Sequence, residues 1–258
     1  MAGPIIALTT DFGLGSTYVA QLKAVLLGSL PEANLVDISH SISPQSILEA
    51  ELSLRATAHI FPSGSVHLMV VDPGVGTQRR PIAIESRGRF FVGPDNGVFG
   101  QLAHEPDVRA VVLDKSHIFR EPVSNTFHGR DIFAPVAAEL AGGLTLDDVG
   151  TPIENWLEGS LVKPQRSGSQ TLVPLLHADN FGNVLTNLHV RDFPANALIL
   201  LKDKQLSVFD TYGDAPRNTL VALFGSDGYL ELAVRDGSAI SVLESDWSST
   251  HLVVEHIS

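Results

Sequence analysis

The sequence predicts an α/β chain in two parts. An N-terminal layered α/β domain with a largely parallel sheet is expected at residues 1–160, and a smaller C-terminal antiparallel β-sandwich or barrel at residues 170–258. Three observations predict this. Short apolar runs alternate with amphipathic stretches over residues 4–141, the βαβα pattern of a layered domain. The run VHLMVV at residues 66–71 is almost purely apolar, as a strand buried on both faces requires. Beyond residue 170 come only short runs divided by Asn, Asp and Gly turns, with no convincing helix.

Taken in order, residues 4–10 (PIIALTT) form the first strand, broken by Asp11-Phe12-Gly13-Leu14-Gly15. Residues 17–30 read as an amphipathic helix that Pro31 closes. A second strand at 35–38 leads to a second helix at 44–60, with Ile47, Leu48, Leu52 and Leu54 apolar and polar residues between. Strands follow at 66–71, 81–85, 90–92 and 108–113, and a helix at 132–140 ends on Ala141-Gly142-Gly143. Residues 150–170, polar and carrying Pro152, Pro164, Ser167 and Gly168, read as a linker. The second part then offers strands at 172–176, 183–188, 198–201, 206–209, 220–224, 230–234 and 251–256.

Composition excludes several classes of function. The 258 residues are 44% hydrophobic and 18% charged, ordinary values for a globular protein with ample core. A net charge of −12 repels a phosphate backbone, so no nucleic-acid partner is expected, whereas a cationic small molecule is not repelled. No basic run, long apolar span or leader is visible; a soluble, cytoplasmic protein without a membrane partner is expected. With no cysteine there is no thiolate nucleophile and no Cys-based zinc site. None of the ten histidines stands in His-Glu-x-x-His spacing, so neither a metal nor another cofactor is expected.

Four segments of the first part could carry chemistry. Asp11 ends the first strand, where ligands of open α/β sheets settle. A kinase Asp-Phe-Gly is excluded because no Gly-rich loop or strand lysine precedes it. A dinucleotide fingerprint needs a third glycine where Tyr18 stands, although Asp37 imitates its ribose-binding acid, and Asp11 would repel a pyrophosphate. What remains is a carboxylate for sugar hydroxyls, or an Asx turn capping the next helix. Asp72 likewise follows an apolar strand and opens Asp72-Pro73-Gly74-Val75-Gly76; Arg79 can fold back onto it, as a catalytic pair or as a loop clamp. Gly93-Pro94-Asp95-Asn96-Gly97 reads locally as a hairpin turn. His128 precedes a helix amid Thr126, Arg130 and Asp131, and Gly129 beside it would let a ligand approach the backbone. In the second part, Asp179-Asn180-Phe181-Gly182-Asn183 and Gly225-Ser226-Asp227-Gly228-Tyr229-Leu230-Glu231 break strand-like runs, and each also fits a plain turn.

Together with His40-Ser41-x-x-Pro44-Gln45, and in this order, these motifs resemble the S-adenosyl-L-methionine (SAM) hydrolases, or SAM hydroxide adenosyltransferases, relatives of fluorinase and chlorinase. The resemblance implies cleavage of SAM by water at ribose C5′ into adenosine and L-methionine. It implies a water-activating triad of Asp72, Arg79 and His128, with Arg79 rather than Arg80 chosen on family spacing. It implies Asp11 as the ribose ligand, and Asp95, Asn96, Thr126, Phe127 and Asp179 among the substrate contacts. Phe181 and Asn183 are similar to the segment that embraces adenine and the methionyl part, Tyr212 would stack on the purine, and Ser226 and Glu231 would take the amino-acid end. Family members are homotrimers whose sites lie between the N-terminal domain of one subunit and the C-terminal domain of its neighbour. Halide-using relatives place Tyr where Asp72 stands and Tyr-Ser where His128-Gly129 stands, so the resemblance favours water. A halogenase and a non-catalytic SAM or adenosine sensor are the alternatives.

Overall fold

The computed structural model describes residues 3–243 and 245–257; residues 1, 2 and 258, at the ends of the two expected domains, and Glu244 lie outside the described residues. The chain divides into two compact units, Met1–Ser160 and Leu161–Ser258.

In the first unit, β1 (Ile5–Thr10), α1 (Thr17–Ser29), β2 (Asn34–Ser39), α2 (Ile47–Thr57) and β3 (Val66–Val70) alternate along the chain. β4 (Pro81–Ser86), β5 (Arg89–Pro94), β6 (Arg109–Leu113), α3 (Ala134–Ala141), α4 (Leu146–Val149) and β7 (Gly150–Ile153) follow. Among the described residues these strands form one sheet in the order β2-β1-β3-β5-β4-β6-β7. Pairing is parallel from β2 through β5, and β4, β6 and β7 add antiparallel.

The apolar run at β3 explains the layering. Side chains alternate across a strand, so Val66, Leu68 and Val70 enter one core with Leu22 and Leu26 of α1 and Val136, Ala137 and Leu140 of α3. Met69 and Val71 enter the opposite core with Ala50 and Leu54 of α2, Ile82, Ile84 and Phe91. Each fully buried leucine here contributes about 1.5–3 kcal/mol. A strand with both faces covered leaves its C-terminal end as the place where polar groups can meet solvent or a ligand.

The second unit contains β8 (Gln165–Ser167), β9 (Gln170–Ala178), β10 (Val184–His189), β11 (Ala197–Leu201), β12 (Lys204–Leu206), β13 (Leu220–Phe224), β14 (Tyr229–Val234), α5 (Ala239–Val242) and β15 (His251–His256). The strands run antiparallel in the order β12-β11-β15-β9-β10-β14-β13, with β8 added on β9. Just after β12, the Ala222 amide donates to the Ser207 carbonyl and the Phe209 amide to the Ala222 carbonyl. These bonds join the two ends of the sheet and curl it towards a barrel around Val173, Leu188, Leu232 and Leu252.

Several boundaries differ from the sequence reading for physical reasons. The helix expected from residue 44 begins at Ile47, because Gln45 takes φ 66° and Ser46 caps the helix by accepting from the Glu49 amide. The helix expected at 132–140 reaches back through a π-helical turn, Gly129–Phe133. The expected linker at 150–170 is not free chain. Its start is β7, the edge strand on β6, and β8 pairs with β9. Between them the Leu157 amide donates to Asp95 Oδ1 (2.8 Å), the Trp156 indole to the Phe99 carbonyl (3.1 Å) and the Ser160 amide to buried Glu51 (2.5 Å). Backbone amides and one indole make these bonds, while most of residues 151–160 stay exposed. Among the described residues the second part also holds a turn of α-helix, α5, and three 3-10 turns, where no helix was expected.

Candidate active site

The chain leaves β1 for β2 on one side and later returns to β3 on the other, so β1 and β3 flank the switch point of the parallel strands. They end level, with Thr10 paired to Val70. Asp11 and Asp72 therefore emerge from adjacent strands at the same sheet edge. The α/β topology thus brings two carboxylate-bearing loops to the C-terminal ends of adjacent strands without any local sequence signal linking them.

Asp72 is bound by Arg79 through both carboxylate oxygens: Arg79 Nε donates to Oδ1 (2.9 Å) and Nη2 to Oδ2. The same Nη2 lies 3.0 Å from His128 Nδ1. Guanidinium nitrogens only donate, so His128 Nδ1 is the acceptor and the imidazole proton sits on Nε2. The Asp72 and Arg79 side chains are 5% and 8% exposed. The Phe133 ring lies 5.0 Å from the Arg79 guanidinium carbon, and Arg79 Nη1 is buried with no hydrogen-bond partner in the described structure. Burial pushes the His128 pKa down and the Arg79 guanidinium pushes it further, against the opposing pull of Asp72 and Asp131. The site thus combines an arginine-bound carboxylate, a neutral imidazole and a spare buried N–H.

Glycines bring the two loops together. Gly76 has φ 75°, and a Cβ there would lie 2.2 Å from the Asn125 carbonyl oxygen. A Cβ at Gly129 would lie 2.8 Å from Val70 Cγ1, so Gly129 serves close packing of the His128 turn on β3. Asp131, fully buried, receives Arg130 Nε (2.7 Å) and the Ser124 amide (2.9 Å) and so braces the His128 loop. Arg80 is the partner of Asp95 (2.8 Å) and of the Asn155 carbonyl (2.9 Å), leaving Arg79 alone on Asp72.

The remaining first-unit candidates divide into two groups. Asp11 Oδ2 accepts from the Gln45 amide (2.8 Å). Thr126 and Phe127 line a cavity of about 480 Å³ with Phe12, Tyr18, Gln21 and Arg130. Phe12, Tyr18 and Phe127 meet edge to face or tilted at 5.2–5.7 Å. Asp95 and Asn96 instead face inward. Both Asp95 oxygens are engaged by Arg80 and Leu157, and Asn96 donates to the Val71 carbonyl (2.8 Å) while accepting from the Val98 amide. Expected as substrate contacts, these two anchor the ends of β3 and β5. Asp37, which imitated a dinucleotide acid, is held by Lys23 (2.6 Å).

In the second unit, Asp179 Oδ1 accepts from the Phe181 and Asn183 amides (2.9 and 2.8 Å), and Oδ2 from Asn183 Nδ2 (3.1 Å). That closed turn leaves Phe181 81% exposed. The Tyr212 hydroxyl donates to Glu231 Oε1. Burial raises the Glu231 pKa, Asp179 and Asp227 raise it further, and the Tyr212 hydroxyl acts in the opposite direction. Asp179, Tyr212 and Glu231 therefore share one electrostatic neighbourhood, while Ser226 lies exposed in the β13–β14 turn. The sequence reading missed Phe133, Gln21 and the Gln45 amide. Phe133 looks like any core residue, and a backbone donor has no side-chain signature.

Among the described residues no group of three His, Asp or Glu side chains could hold a metal ion, and no helix is long and apolar enough to cross a membrane. Comparison with known proteins gives consistent matches. Residues 6–150 match the SAM hydroxide adenosyltransferase N-terminal domain, and residues 174–250 match the C-terminal domain of that family. An (R)-S-adenosyl-L-methionine hydrolase of Thermus thermophilus is 38% identical over 246 residues, covering 91% of this chain and 93% of that protein. A fluorinase of Nocardia brasiliensis is 26% identical, covering 89% of this chain and 90% of its own length. The crystal structure of an uncharacterized conserved protein from Thermotoga maritima superposes with a TM-score of 0.87 at 33% identity, covering 97% of this chain and 100% of that one.

Proposed function

The chain belongs to the SAM hydroxide adenosyltransferase family, and from that premise we propose that it hydrolyses S-adenosyl-L-methionine at ribose C5′, giving adenosine and L-methionine. The observation that carries this reading is the Asp72–Arg79–His128 constellation, with Asp11 at the C-terminal end of the adjacent strand.

The sulfonium leaves as neutral methionine and needs no general acid. The difficulty lies in the nucleophile, because water attacks poorly until its proton is shared. Asp72 keeps lone pairs beyond those used by Arg79 and accepts a proton from the water. The neutral His128 donates its Nε2–H to the water oxygen, orienting a lone pair at C5′. Arg79 stabilises the charge that develops as the proton moves; its unpartnered Nη1 is a ready donor for it. Asp11 holds the ribose hydroxyls through its remaining oxygen. In the second unit, Phe181 and Tyr212 supply aromatic surface, and Asn183, Asp179, Ser226 and Glu231 supply polar contacts to adenine and the methionyl end.

The exposed Phe181, Leu14 and Tyr18 support a homotrimer in which second-unit residues of one subunit complete the first-unit site of its neighbour. Light scattering on the eluting protein, expected to give three chains per particle, tests that. The cysteine-free composition supports a reducing, cytoplasmic location.

The activity test is incubation with SAM, with and without fluoride or chloride, followed by chromatography. Adenosine formation independent of halide is expected. A 5′-halogenated adenosine would make the chain a halogenase, and tight binding without turnover would make it a sensor. Asp72→Ala should abolish adenosine formation, and unchanged turnover in that variant removes Asp72 from the chemistry.

A further inference from the structure

The His40–Gln45 segment takes no part in the chemistry above, yet it encloses Asp11 from two sides. Thr10, fully buried at the end of β1, places Oγ1 2.9 Å from His40 Nδ1. On the other side of the ring, His40 Nε2 lies 3.0 Å from Asp37 Oδ1, and Lys23 Nζ of α1 donates to Asp37 Oδ2 (2.6 Å). Burial pushes the Asp37 carboxyl up, but Lys23 and His40 together hold it below its ordinary value, so it is the anionic acceptor of this chain.

The Asp37 carboxylate faces Nε2 at 3.0 Å, a charge contact without hydrogen-bond geometry, and favours the ring proton on that nitrogen; Nδ1 is then left to accept from the Thr10 hydroxyl. The Thr10 oxygen, its proton committed to the ring, then presents lone pairs to the Phe12 amide (3.3 Å). The His40 carbonyl takes the Gly13 amide (2.8 Å). Five residues on, Gln45 adopts φ 66°, a region other residues than glycine seldom occupy, and in that conformation its amide donates to Asp11 Oδ2 (2.8 Å). Strain of this kind persists where surrounding contacts hold it. Ser46 and Glu49 supply those contacts: Ser46 caps α2, and Glu49 accepts from the Ser43 amide (2.7 Å).

We propose that His40 is a positioning residue for Asp11: the Asp37–His40–Thr10 relay and the Gln45 amide fix the Asp11 turn so that its remaining carboxylate oxygen meets the ribose diol. The proposal rests on the reading of Asp11 as the ribose ligand. It gives the His40-Ser41-x-x-Pro44-Gln45 motif a task in substrate recognition, distinct from the activation of water.

The test measures binding of adenosine and 2′-deoxyadenosine to the full-length protein by calorimetry, in wild type, Asp11→Asn, His40→Leu, His40→Asn and Thr10→Val. The wild type should prefer adenosine by about tenfold, the scale of one charge-assisted hydrogen bond. Asp11→Asn should abolish the preference. His40→Leu and Thr10→Val should reduce it to within about twofold of unity, while His40→Asn, whose amide oxygen can replace Nδ1 as acceptor, should keep most of it. Thr10→Val conserves shape at a core site and carries the test if His40→Leu does not fold. With the preference lost in Asp11→Asn but kept in both His40→Leu and Thr10→Val, the relay has no positioning role and the proposal fails. If Asp11→Asn itself still discriminates, the ribose reading fails first and the proposal with it. A loss in His40→Asn equal to that in His40→Leu overturns the acceptor assignment.

Discussion

At the scale of single residues, the site is decided by which atoms can donate. Arg79 has no acceptor, so its contact with His128 Nδ1 sets the imidazole tautomer and makes the neutral form the working one. Burial and Arg79 both lower the His128 pKa, so protonation should occur below the ordinary 6.5. The sign follows: kcat/KM for SAM should be level through neutrality and fall only as acid charges His128 and drives it from Arg79. A pH–rate profile with its acid limb centred above 6.5 would contradict this assignment. Asp72 carries a second expectation. Asp72→Ala leaves a buried guanidinium without its partner, so beyond the loss of turnover it should cost about 3–5 kcal/mol in chemical denaturation. Asp72→Asn should cost less stability yet lower kcat by about 10²–10⁴-fold. Equal loss of stability in both variants would make packing, not charge, the stabilising feature.

At the scale of elements, the site depends on how closely two loops approach. Gly76→Ala forces a side chain into a left-handed conformation against the Asn125 carbonyl. The variant should lose roughly 1–3 kcal/mol and part of its turnover, because the Asp72 loop is pushed from the loop that carries His128. Thermal unfolding together with kcat checks it; an unchanged kcat would mean the two loops need not stay in register. Elements were legible where pattern and burial agree. The apolar run at β3 and the amphipathic α1 could be read because their side chains answer to one or two faces of a sheet. The start of α2 and the π-helical turn at Gly129–Phe133 could not, since both depend on tertiary contacts: Gln45 on Asp11, and Gly129 on Val70. Residues 150–160 were misread for a related reason. Most of their side chains face solvent, as polar composition suggests. The backbone amides of Leu157 and Ser160 nonetheless tie the segment to the buried carboxylates of Asp95 and Glu51, and a backbone donor has no sequence signature. In the site itself, Asp72 and Arg79 are seven positions apart in sequence and their contact could be imagined from spacing. His128 lies 49 positions from Arg79, and only the resemblance joined it to them before the fold did.

At the scale of the whole molecule, acid stability should be governed in part by a residue remote from the triad. His67 on β3 is 1% exposed, stacked on Phe91 at 5.0 Å, and neither ring nitrogen has a hydrogen-bond partner in the described structure. Burial lowers its pKa to about 4, with Arg89 and His59 adding to the effect. The unfolded chain takes up that proton near pH 6.5, the folded chain only near pH 4. Stability from this residue is therefore full above 6.5 and falls by roughly 3 kcal/mol as the pH drops towards 4. His67→Phe should flatten that part of the stability–pH curve measured by denaturant unfolding, and an unaltered slope would assign the acid loss elsewhere.

The level ending of β1 and β3 has a consequence for how such a site can change over evolutionary time. Asp11 and Asp72 follow neighbouring parallel strands in register at Thr10 and Val70, one and two residues beyond the paired positions, so the hydrogen-bond ladder fixes where both loops start. Segments further along each loop can lengthen without moving those starting points. A lineage exploring new reagents could exchange the side chain at position 72 and its arginine partner while the grip on the nucleoside stayed where the ladder put it. On the proposed assignment of Asp11 and Asp72, substrate and reagent are separately heritable in this architecture.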